Sequence, residues 1–360
     1  MIKLIANLMS AFLLSIFVSL YIYMLVSTQV YAAYNQGQTQ LLKVGEGESY
    51  TTIQGAIDAS VKYQQVVIFI KAGVYQEKLF ITRNNLALVG ESADKTIIQF
   101  SELRNNWREK HTNDWGAAVV NINATDIVLA NLSIINDYGI KTGDHEHQFA
   151  VRGFELSDRI ITHNCKIIAG GADTLSLWNK HGRYYHSNCY FEGHTDMVCP
   201  RGTALIEHSQ FFNQKQSATI WHDGELNPEH KLVVNNSQFD GIPGFWLGRH
   251  HYDAQFYLLN SQFSKHMADK PIFKKRYNNK GRERANLYGS RYFFEGNSSE
   301  NTYPWLESNF RLSDVIPAQA PDLETWVFKG DWSPSTTLNE LEVFLKAQAN
   351  PLLFTAFSHY

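Results

Sequence analysis

Cysteine is scarce in this 360-residue chain, with Cys165, Cys189 and Cys199 the whole supply. An odd number at these spacings excludes a disulfide scaffold and matches no zinc-binding pattern. Positive charge is in short supply too: 32 Lys and Arg stand against 35 Asp and Glu, for a formal net charge of -3. A nucleic-acid partner needs a basic field that this balance does not provide. One local basic stretch, Lys274, Lys275 and Arg276 through Lys280, Arg282 and Arg284, reads as a solvated surface loop. The chain also lacks a Gly-x-Ser-x-Gly elbow and a His-Glu-x-x-His helix, which removes the serine-elbow hydrolases and the zinc-helix proteases. No low-complexity linker divides it.

What is present begins with a leader. From Leu4 to Val26 there is no charged residue, Lys3 precedes the run, and Val30-Tyr31-Ala32 supplies small residues for cleavage. Residues 1-32 therefore read as an export signal, with the mature chain starting near Ala33 on the outer side of the cytoplasmic membrane. The run is also long enough to span a bilayer, so an uncleaved anchor is the alternative. Residues 33-360 are expected to form a single domain acting as a monomer, and 44% hydrophobic with 13% aromatic residues is ample for its core.

Thr51-Thr52 followed by Ile53, Ala56 and Ile57 at helical spacing predicts one short helix. Val66 to Ile70, Leu86 to Gly90 and Thr96 to Phe100 then read as strands. A repeat follows: Asn131-Leu-Ser-Ile134, Asn164-Cys-Lys-Ile167, Asn188-Cys-Tyr-Phe191, His208-Ser-Gln-Phe211, Asn236-Ser-Gln-Phe239 and Asn260-Ser-Gln-Phe263. The starts lie 33, 24, 20, 28 and 24 residues apart. A period near two dozen in β-branched and aromatic segments predicts an all-β, right-handed parallel β-helix, in which stacked coils share one core. The fourth template position would stack on its equivalents. Cys165 and Cys189 would lie in a ladder of small residues, close enough for a bridge. The end of the chain, with Trp305, Trp326, Trp332 and an amphipathic helix over Leu338 to Ala347 stopped by Asn350-Pro351, is expected to cover the open end and one flank.

On that solenoid, Asp173 and Asp196 fall one repeat apart, and coiling could bring Arg249 and Gln148 to them. An isolated Asp-Thr-Leu is more often structural, so the weight rests on the four together. His145-Glu146-His147 is no metal site, because successive strand residues face opposite sides. Tyr75 and Glu77 read as turn elements. Trp178, His194, Met197, Trp246, His250 and His251 are candidate cleft residues.

These runs resemble the pectinesterase (pectin methylesterase) family. The likeness rests on Tyr50-Thr-Thr-Ile-Gln-Gly-Ala-Ile-Asp58, Gly73-Val-Tyr-Gln-Glu-Lys-Leu79, Val89 to Ile98, Gln148 with Ser157-Asp158-Arg159, Asp173-Thr-Leu175, Gly182-Arg183 to Asp196, and Leu247-Gly-Arg249. The resemblance implies a parallel β-helix esterase, with Asp196 as nucleophile, Asp173 as acid/base, Arg249 orienting the nucleophile and Gln148 in the oxyanion hole. It calls for no metal or organic cofactor, and implies methyl-esterified galacturonan or a related saccharide ester as substrate. An esterase or thioesterase on another ester, and a non-catalytic glycan-binding relative, are the alternatives. Ala172 stands where the family carries a second oxyanion glutamine, leaving His194, His250 and His251 as replacement donors. Met197, Cys199 and His251 also replace residues of the family pattern around the site.

Overall fold

The computed structural model describes residues 39-277, 284-316 and 322-348. The expected leader, Lys280, Arg282 and the Asn350-Pro351 stop lie outside these residues.

Three parallel sheets run the length of the molecule. The first contains ten strands, from Thr39–Val44 to Ser290–Glu295; the second nine, from Gly73–Tyr75 to Ser298–Ser299; the third eight, from Leu79–Ile81 to Phe273–Lys274. Every strand pairs with the equivalent strand one coil away, so the chain is a right-handed parallel β-helix. The expected fold is the observed one.

The six template segments sit at one corner, between the first sheet and the second. Asn131, Asn164, Asn188, His208, Asn236 and Asn260 all adopt left-handed backbone, with φ between 49° and 55°. Asparagine tolerates that region better than most side chains, which is why five of six starts carry it. Two residues on, the chain is back in strand, and the fourth template position points into the core. Phe191, Phe211, Phe239 and Phe263 stack there with ring centroids 5.2, 4.3 and 5.1 Å apart. Cys165 and Cys189 lie buried at the second position, in line with Ser209, Ser237 and Ser261, and all three thiols of the chain remain free.

The first sheet is apolar on both faces, which explains its unbroken hydrophobic runs. Val66, Ile68 and Ile70 face the solenoid interior. Val67, Phe69, Ala87, Val128 and Tyr257 face out, under Leu323–Phe328 and Pro334–Ala347, whose Phe328, Leu338, Leu341 and Phe344 cover them. Ser333 caps the longer helix by accepting from Thr336 N–H. At the start of the solenoid, Ile53–Ala59 packs Ile53, Ala56 and Ile57 onto the core. Thr52 caps it, and Glu77 accepts from the N–H groups of Ile53 and Gln54 at 2.9 and 3.0 Å. Glu77 is thereby a structural residue. Tyr75 is one too, its hydroxyl donating to Lys71 O.

Candidate active site

Coil stacking turns sequence offsets into rows. Along the third sheet, Asn121, Arg152, Ser176, Cys199, Trp221, Arg249 and Phe273 stand in register on successive coils. Three residues before Ser176 and Cys199, at the turns entering their strands, come Asp173 and Asp196. Both are left-handed, with φ of 63° and 54°. Their backbone N–H groups donate to Thr195 O and Ala218 O, the neighbouring coil in each case. Adjacent coils lie about 4.8 Å apart, so the two carboxyls are neighbours by construction.

The acids lie in a cleft of ≈600 Å³ that is also lined by Arg104, Asp114, His147, Phe149, Arg152, Trp178, Arg201, Trp221, His251, Lys275 and Tyr277. A larger groove of ≈760 Å³ separates the outer face of the first sheet from the Pro334–Ala347 helix. Its charged groups, Asp126 paired with Arg159 and the separate Glu340, form no acid pair. The acid pair and its arginine are in the smaller cleft.

Asp196 is held by Arg249 through both carboxylate oxygens, with Nε at 2.9 and 3.1 Å and Nη2 at 2.7 Å. Bidentate pairing of this kind fixes orientation as well as charge. Burial nevertheless outweighs the guanidinium and, aided by the Asp173 charge, pushes the Asp196 carboxyl up to about 6. Burial also pushes Asp173 up, against the pull of His147, Arg152 and Arg249. Two acids this close titrate as a pair, and the bidentate arginine favours the charged form of Asp196.

Of the other expected site residues, Trp178 and His251 line the cleft. The Trp178 indole donates to Ser176 Oγ at 2.7 Å, and the Arg201 guanidinium lies 3.8 Å above its ring. His251 accepts from the Trp221 indole at 2.8 Å and stacks on Tyr277; burial and Arg249 push it down to about 4, so it is neutral. Five expectations are corrected. Gln148 is turned away from the acids, because it alternates with His147 and Phe149, which do line the cleft. Its carboxamide accepts from Gly139 N–H at 2.7 Å and donates to Asp144 O at 2.5 Å. A Cβ on Gly139 or Gly171 would fall 2.8 or 2.7 Å from that amide nitrogen, so the group is wedged between two glycines. Met197 is fully buried in the core, as is its counterpart Thr174 one coil earlier. His194 is buried against His145, their rings stacked at 4.2 Å, and lies outside the cleft lining. Trp246 sits beside the cleft under the Lys270 ammonium, 3.1 Å from its ring centroid. His250 is spent internally on Tyr252 O and the Tyr292 hydroxyl.

Sequence reasoning missed Arg152, Arg201, Trp221 and His147. Arg152 is buried, paired to Asp114 at 2.8 Å and set over Phe149 and Trp178. Arg201 is held by Glu225 at 2.8 Å, and Glu225 in turn by Arg284, which also pairs with Asp223 and covers Tyr252. Arg284 is therefore a structural cation, which corrects its assignment to a solvated loop. The coil register, which sets Arg152 and Trp221 in one row with Ser176, Cys199 and Arg249, is what reveals them.

The site is thus a buried acid pair with a guanidinium clamp in the lateral cleft of a parallel β-helix. The pectinesterase family profile matches residues 41–241, more than half of the chain, and the chain belongs to that family. It is 24% identical over 216 residues to probable pectinesterase 67 of Arabidopsis thaliana, covering 57% of this chain and 60% of the relative. It is 29% identical over 205 residues to a pectinesterase of Petunia integrifolia, covering 54% and 51%. The chain thus spans little more than half the length of these curated relatives. Among solved structures, the pectin methylesterase of Erwinia chrysanthemi superposes with a TM-score of 0.66 at 22% identity, over 81% of this chain and 98% of that one.

Proposed function

We propose that this protein is an exported carboxylic ester hydrolase that demethylates methyl-esterified galacturonan or a closely related saccharide ester. The observation that carries the reading is the Asp196–Arg249 clamp beside a second buried acid, in the cleft of a pectinesterase-family chain. An ionised Asp196 oxygen attacks the ester carbonyl carbon. The resulting tetrahedral centre collapses with cleavage of the carbon–oxygen bond to the alcohol, and Asp173 gives that oxygen its proton. The acyl group is left on Asp196 as an anhydride. Asp173, now a carboxylate, takes a proton from water as the hydroxyl attacks the acyl carbon, which releases the free acid and restores both aspartates. Arg249 keeps Asp196 charged and aimed throughout. The partly exposed Trp178 and Tyr277 are the aromatic surfaces against which sugar units would pack, in place of the family aromatics that the sequence lacks.

The test is a panel of methyl-esterified galacturonan, acetylated sugars and simple acyl esters, with alcohol and acid measured separately. Equimolar methanol and acid from the first substrate alone is the expected result. Hydrolysis of acyl esters without methanol release would move the protein to another substrate class, and no hydrolysis of any of them would leave a glycan-binding relative.

The same reading fixes a pH dependence. Asp196 must be ionised to attack, and its carboxyl sits at about 6 because it is buried. Turnover on the preferred ester is expected to fall as pH drops through about 6, roughly two units above the range of an ordinary aspartate. Arg249→Gln removes the group that holds the proton off, so the acid limb should move to higher pH. An acid limb near 4 in the parent, or one that stays in place in the variant, would take Asp196 out of the nucleophile role.

A further inference from the structure

Attack by a carboxylate on an ester leaves a negative charge on the former carbonyl oxygen, and a buried site must meet it with N–H or O–H donors. The side chains that could do so are mostly committed elsewhere. Arg249 is bound to Asp196, Arg152 to Asp114 and Arg201 to Glu225. The indoles of Trp178 and Trp221 donate to Ser176 and His251. Gln148 faces the opposite way, Ala172 offers only a methyl group, and His194 and His250 lie outside the cleft.

Of the donors that remain in the cleft lining, Lys275 and the second ring nitrogen of His251 included, His147 is set against Asp173 itself. It forms a parallel bridge with Ala172, so the two residues lie side by side on adjacent coils, next to Asp173. The small Ala172 side chain leaves room for an imidazole beside it. The ring is 43% exposed at the cleft, with Nε2 3.8 Å from Asp173 Oδ2, a distance longer than a hydrogen bond. Among the described residues no partner takes a hydrogen bond from that ring. It is thus an N–H donor beside the acid pair, with its hydrogen-bonding capacity unspent.

We propose that His147 is a catalytic residue whose imidazole N–H binds the oxygen that becomes negative when the ester is attacked, in the role that neither Ala172 nor Gln148 can fill. This rests on the Asp196 and Asp173 assignments made above. The donor acts on the transition state rather than on the bound ester, so its loss appears in kcat and leaves KM nearly unchanged.

The experiment compares methanol release from methyl-esterified galacturonan by the parent, His147→Ala, His147→Gln, Ala172→Gln and Asp196→Asn, with folding checked by circular dichroism. His147→Ala should lower kcat by about 100- to 1000-fold with KM within about twofold, by analogy with the loss of one oxyanion donor elsewhere. His147→Gln restores an N–H donor and should recover at least about tenfold of the loss, within the same range. Ala172→Gln crowds the ring and should leave the rate equal or lower. The proposal is overturned if His147→Ala is fast while Asp196→Asn is dead, since the acid pair then works without this donor. It is overturned equally if His147→Gln is as slow as His147→Ala with a raised KM, or if Ala172→Gln speeds hydrolysis tenfold. A fast Asp196→Asn variant would instead discard the reading of the whole site.

Discussion

Asp196→Asn is expected to lower kcat by about 10,000-fold or more while the melting temperature stays close to that of the parent. The scale follows from removal of single members of catalytic units in other hydrolases, which costs about 10⁴- to 10⁶-fold. An amide oxygen is a far poorer nucleophile than a carboxylate and cannot be restored by the arginine. Stability should hardly move, because two effects oppose each other. Burial raises Asp196 from 3.8 to about 6, so the folded state holds the proton more tightly than the unfolded state. The stabilisation this gives is complete below about pH 4 and is lost as pH rises through about 6, so at neutral pH the ionised group works against folding. Asparagine removes that penalty. It also removes the charge opposite Arg249, which then keeps only part of its hydrogen bonding. Asp173→Asn should also abolish turnover, since the alcohol would then leave without its proton. The checks are methanol release at saturating substrate and thermal unfolding of the same preparations. Parent-like turnover in Asp196→Asn would remove the aspartate from the chemistry. Inactivity with a large fall in melting temperature would mean that the residue is structural.

The legible parts of this sequence were those that a periodic fold writes repeatedly. The four-residue template that opens on Asn or His and closes on Ile or Phe appears six times because each coil turns the same corner through a left-handed residue and then drives one large side chain inward. Asp173 and Asp196 were legible for the same reason, as equivalent positions on consecutive coils. Arg249 was found because its neighbours Leu247 and Gly248 come with it. The misplacing of Gln148 and Met197 has one physical origin. In a strand the side chains alternate, so a shift of one residue exchanges cleft for interior. Gln148 was taken for a cleft residue where His147 and Phe149 are the ones that face it, and Met197 was taken for a substrate contact though it swings into the core after the left-handed Asp196. Arg152 and Arg201 were missed for a different reason. Each is held by an acid distant in sequence, Asp114 and Glu225, and no local pattern announces such a pair. The same holds for Arg284, which looks like part of a basic loop until Asp223 and Glu225 are seen beneath it.

Phe211→Ala is expected to produce the opposite dissociation, a large loss of stability with little change in kcat for the molecules that remain folded. The ring is buried between Phe191 and Phe239, with the nearer stack at 4.3 Å and almost parallel. Truncating a buried phenylalanine costs about 3–5 kcal/mol through lost burial and the cavity left behind. Relaxation cannot recover much of this, because the rings on both sides are fixed by the backbone pairing of their own strands. In a solenoid each coil is supported only by its neighbours, so a defect here weakens the contact between the coil that carries Asp196 and the next one, on which Asp196 N–H rests through Ala218 O. The acid pair does not touch Phe211, and its geometry survives while the coils remain stacked. Urea unfolding followed by tyrosine and tryptophan fluorescence measures the first effect, and turnover at a temperature well below the transition measures the second. A loss under about 1 kcal/mol would mean that the coils repack freely and that the stacked ladder is not what holds them together.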